Sequence, residues 1–105
     1  MIDINKIVEF NNNYVAEHPE LGEAGLTSKP MKKLAIVTCM DTRLVCMLEE
    51  ALGFGRGEVI TIKTAGNSVT QPIDNIVQSL LVSTYGMGIT DVLVIGHENC
   101  GMIDL

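Results

Sequence analysis

The chain has 105 residues, 47% of them hydrophobic and 19% charged, which suits one folded domain and excludes a disordered one. Its formal net charge is -6 and its only adjacent basic pair is Lys32-Lys33, so no cationic stripe offers itself to nucleic acid. Apolar runs such as Leu34 to Val37 and Val92 to Ile95 fall far short of the roughly 20 residues that a membrane span needs, and Met1 to Lys6 lacks an apolar signal region; a cytoplasmic protein without a membrane partner is expected.

From Ile4 the apolar residues Ile7, Val8, Tyr14 and Val15 recur at helical spacing behind Asp3 as N-cap, which predicts an amphipathic helix to about Glu17 that should lie against something apolar. His18 to Pro30 carries prolines and glycines without a sustained period and reads as a connecting arm. Residues 1–30 are therefore a helix and arm, and 31–105 the ordered α/β domain.

Lys33 to Thr38 is β-branched and apolar without alternation, the pattern of a strand buried on both faces of a parallel sheet. Leu44 to Leu52 then predicts a helix stopped by Gly53, with Cys46 inside it as a small buried residue. Glu58 to Lys63 predicts a second strand. Gly53-Phe54-Gly55-Arg56-Gly57 follows a helix and precedes a strand, the reverse of a dinucleotide fingerprint, and reads as a turn. Pro72 suits the first turn of a third helix, with Ile73, Ile76, Val77, Leu80 and Leu81 on one face and Gly86 and Gly88 as its stop. Asp91 to Gly96 supplies a third strand.

This alternation predicts an α/β fold, a mostly parallel β-sheet flanked by helices. A strand order of two, one, three places the first and third strands side by side, and ligands bind beyond the C-terminal ends of strands at such a switch point. Cys39, Asp41 and Arg43 follow the first strand; His97 and Cys100 follow the third.

Three cysteines fit no even disulfide framework, so metal or thiol chemistry is the better reading. Two thiolates and an imidazole form a donor set that prefers Zn2+, and three ligands leave a fourth position for water, whose pKa zinc brings to about 7. Cys39, His97 and Cys100 are the candidate metal ligands, and Asp41 and Arg43 the candidate catalytic pair. A bidentate guanidinium at Arg43 can orient the Asp41 carboxylate to accept a hydrogen bond from zinc-bound hydroxide. If Arg43 lets go, Asp41 can instead take the fourth zinc position. A non-catalytic zinc module closed by Asp41, and a thiol redox protein using Cys39 and Cys100, are the rivals; the second lacks a CxxC pairing.

The CxDxR motif at Cys39, Asp41 and Arg43, the HxxC motif at His97 and Cys100, Ala65-Gly66-Asn67 between them and the trailing Gly101 resemble the β-carbonic anhydrases over roughly residues 31–105. The resemblance implies one zinc per chain, reversible hydration of CO2 to bicarbonate, and a homodimer or higher homo-oligomer with the N-terminal helix packed on a partner subunit. CS2 or COS hydrolysis suits the same ligands. Chains of that family run well beyond the HxxC motif, so this sequence is expected to be an N-terminal portion lacking the C-terminal strands. Its third strand would then be an edge, prone to self-association, swapping or pairing with a missing segment.

Overall fold

The computed structural model describes residues 1–22, 25–67 and 75–104. Helix α1 spans Ile4–Glu17, begun by the Asp3 carboxylate, whose Oδ1 accepts from the amides of Asn5 at 3.0 Å and Lys6 at 3.4 Å. It ends where the His18 ring stacks on Tyr14 and its Nδ1 meets the Tyr14 carbonyl at 2.9 Å. No residue of α1 is buried. Its apolar positions Ile4, Ile7, Val8, Tyr14 and Val15 stay exposed, so the predicted amphipathic face finds no cover among the described residues.

Three parallel strands, β1 (Leu34–Cys39), β2 (Val59–Thr64) and β3 (Asp91–Ile95), form one sheet in the order β2-β1-β3, as the sequence predicts. β1 is central: Ala35, Ile36, Val37 and Thr38 are at most 1% exposed, which explains a run without alternation. Its register sets Cys39 beside Thr64 and Thr38 beside Ile95. The hydroxyl of Thr38, buried at this seam, donates to the Ile95 carbonyl at 3.0 Å and ties the outlets of β1 and β3 together.

The helix expected over Leu44 to Leu52 is broken. A 3-10 turn at Thr42–Leu44 comes first, and helix α2 covers only Met47–Ala51. Between them Cys46 takes a left-handed φ of 60° and is exposed, not a buried helical residue. The Asp41 carboxylate accepts from the Arg43 amide and caps the first of these turns, starting it before Leu44. Leu44 and Leu48 both reach the core, where they join Ile36, Cys39 and Cys100. Gly53, at φ 82°, ends α2 as predicted.

Helix α3 covers Asn75–Met87, with Gly86 inside it and Gly88, at φ 73°, just beyond its end; Pro72 and Ile73 lie outside the described residues. β3 pairs with β1 alone among the described strands, and its Val92, Leu93 and Val94 are exposed. Among the described residues no helix is long and apolar enough to cross a membrane.

Candidate metal centre

The outlets of β1 and β3 bring together all five residues singled out in the sequence. Cys39 is the last residue of β1, and Cys100 follows the turn after β3. Both are free and buried, and their sulfurs stand 3.8 Å apart. That is the separation which two tetrahedral zinc–sulfur bonds of about 2.3 Å impose.

His97 completes the group: one ligand atom each from Cys39, His97 and Cys100 lies within 4.8 Å of the others. Its Nδ1 is 2.8 Å from the Glu98 carbonyl, which only accepts, so Nδ1 carries the proton and Nε2 offers a lone pair. Nε2 is buried, without a hydrogen-bond partner among the described residues. A buried nitrogen left unsatisfied is costly. A soft-to-borderline metal ion meets that need, and the residues fit zinc in donor type and spacing.

Asp41 sits beside this group with its Oδ2 3.7 Å from His97 Nε2, beyond hydrogen-bonding distance. Arg43 grips the carboxylate bidentately: Nε donates to Oδ1 at 2.9 Å and Nη2 to Oδ2 at 2.7 Å. The Arg43 amide adds a third bond to Oδ1 at 2.9 Å. These bonds hold the Asp41 carboxyl well below the usual carboxylate range, so it remains an acceptor near neutrality. The same Nη2 reaches the Asn99 carbonyl at 2.8 Å.

The cysteine and histidine are electrostatically matched. The neighbouring His97 ring, opposed by burial and helped by the backbone of Gly66 and Asp41, lowers the Cys39 thiol to about 7. The Cys39 partner in turn raises His97, against its desolvation.

A cleft of about 360 Å³ opens beside Cys39, Asp41 and Cys100, walled by Met40, Ala65, Gly66 and Met102. Ala65–Asn67 forms a 3-10 turn straight after β2, with Gly66 at φ 78°. A Cβ on Gly66 would lie 3.0 Å from Met102 Cγ, so the turn is both tight and closely approached there. Met40 and Met102 escaped notice in the sequence; their one signal is adjacency to the candidate ligands. Lys63 is exposed, as a solvated strand-end lysine should be.

Residues 34–105 match the family model described as carbonic anhydrase. YtiB of Bacillus subtilis is 43% identical over 99 residues, 94% of this chain and 52% of its own. The crystal structure of β-carbonic anhydrase isoform I from Trichomonas vaginalis is similar with a TM-score of 0.91 at 43% identity, covering 100% of this chain and 57% of that one. A carbon disulfide hydrolase of Saccharolobus solfataricus is 38% identical over 72 residues, 69% of this chain and 33% of the hydrolase. The chain spans about half the length of the curated relatives named first in similarity, 52% and 53% of two Bacillus subtilis proteins.

Proposed function

The chain belongs to the β class of the carbonic anhydrase family, and on that premise we propose that it is the metal-holding part of a zinc-dependent carbonate dehydratase acting on CO2 and bicarbonate. The observation that carries this reading is the buried Nε2 of His97, unpartnered among the described residues and set among two thiols at tetrahedral spacing.

Cys39, His97 and Cys100 would hold one zinc per chain, which when bound supplies Lewis acidity enough to bring the pKa of a water to about 7. Asp41, kept ionised by Arg43, would accept a hydrogen bond from a donor beside the metal and so fix that donor's orientation. Met40, Ala65, Gly66 and Met102 offer a small apolar wall suited to a linear, uncharged electrophile.

In this reading the protein works in the cytoplasm as a homodimer or larger homo-oligomer. The uncovered apolar side chains of α1 and the open edge of β3 support association. A second reading, hydrolysis of carbon disulfide or carbonyl sulfide, is favoured by the likeness to the Saccharolobus solfataricus hydrolase and by the same apolar wall.

Zinc content and CO2 hydration rate, measured together on the purified chain above neutral pH, test the proposal. One zinc per chain with hydration is the expected result. Zinc with CS2 turnover but no hydration moves the assignment to the second reading, and a chain that takes up no zinc overturns both.

A further inference from the structure

Asn99 does no chemistry of its own, yet its backbone stands at a junction. It lies between the two ligands His97 and Cys100, has a left-handed φ of 54°, and its side chain is exposed. Its carbonyl accepts from Arg43 Nη2 at 2.8 Å, the same nitrogen that donates to Asp41 Oδ2 at 2.7 Å. We propose that Asn99 is a positioning residue whose left-handed backbone couples the metal-ligating turn to the Asp41 carboxylate through Arg43. The proposal rests on the metal-centre reading above and deepens it.

The physical argument runs through a rigid fork. A guanidinium is planar and its donors are fixed relative to one another, so moving the acceptor at Nη2 rotates the whole group. Rotation would break the parallel bonds from Nε and Nη2 to the two Asp41 oxygens. The position of the Asn99 carbonyl therefore sets the angle of the Asp41 carboxylate against His97. Left-handed backbone at residue 99 is what turns that carbonyl toward Arg43, while the chain reverses to return Cys100 to Cys39. Asn tolerates this region several-fold better than most residues, Gly adopts it freely, and β-branched side chains resist it. Asn99 thus acts through its backbone.

Cobalt(II) alone is the probe, titrated into the purified chain and followed by thiolate-to-cobalt charge transfer and the visible ligand-field bands. Asn99→Val should shift cobalt affinity at least fivefold and alter the bands, Asn99→Ala less so, and Asn99→Gly should restore the wild-type spectrum. In an Arg43→Ala background the effect of Asn99→Val should fall below twofold, since its route to Asp41 is gone. Equal effects in both backgrounds, or Asn99→Gly behaving like Asn99→Val, would overturn the coupling. If Asn99→Val does not fold, Asn99→Ala in the two backgrounds decides by the same criterion. A wild-type chain that binds no cobalt would instead sink the metal-centre reading itself, a failure visible before any variant is compared.

Discussion

His97 Nε2 and Asp41 Oδ2 face one another at 3.7 Å, close enough to interact through charge and too far to share a proton. In the proposed reading this gap separates a group that would hold a metal from a group that would direct chemistry beside it, and the two should be separable by mutation. Cys100→Ser is expected to abolish stoichiometric zinc, measured by metal analysis after dialysis. Asp41→Asn should keep the zinc and reduce any CO2 hydration by about a hundredfold, the usual scale for a lost proton-handling group. Zinc retained at full occupancy by Cys100→Ser would refute the ligand assignment.

Acid should dissolve the contribution of Asp41 to stability. Its folded pKa is depressed, so the contribution is fully present above its ordinary value of 3.8 and is lost as pH falls through the lower folded value. The difference in urea midpoint between wild type and Asp41→Asn, both zinc-free, should be constant from neutrality to about pH 5 and shrink below about pH 4. A difference independent of pH down to about 3 would show that the Arg43 clamp does not act through the ionised carboxylate.

Gly66 is both left-handed, at φ 78°, and pressed against Met102, 3.0 Å from where a Cβ would stand. Gly66→Ala should therefore lose about 1–2 kcal/mol of stability in denaturant unfolding. It should also narrow the cleft beside Cys39. An alanine variant as stable as wild type would mean that the Ala65–Asn67 turn is free to rearrange.

β3 presents Val92, Leu93 and Val94 along an edge with no second neighbour among the described strands. Sedimentation of the purified chain at micromolar concentration is expected to show association. Val94→Lys should weaken it, because a charge on an open edge resists strand pairing. A stable, well-folded wild-type monomer would count against association by either route.

The strand order and the gathering of five chemically able residues at the strand outlets were legible because each depends on side-chain chemistry written in the sequence. An unbroken β-branched run can be buried on two faces, and cysteine, histidine and aspartate at strand outlets are poor structural filler. The break before α2 was not legible: a helical pattern over Leu44 to Leu52 competes with a single side-chain bond from Asp41, and only geometry decides which wins. Met40 and Met102 look like any core methionine until the cleft exists. The role of Asn99 is carried by a carbonyl, a group that every residue has, so no sequence letter announces it.

Cys39 and Cys100 touch across 61 positions of chain, with β2 and α3 between them. A ribosome adding about 5–20 residues per second delivers the second sulfur roughly 3–12 s after the first. Through that interval Cys39 is an unsheltered thiol, and its shelter arrives only when β3 has crossed over to lie parallel to β1, a slow, non-local pairing. In the proposed reading the vulnerability of this centre to stray oxidants or the wrong metal is thus greatest during synthesis, and metal capture would be a timestamp for the pairing of β3 with β1.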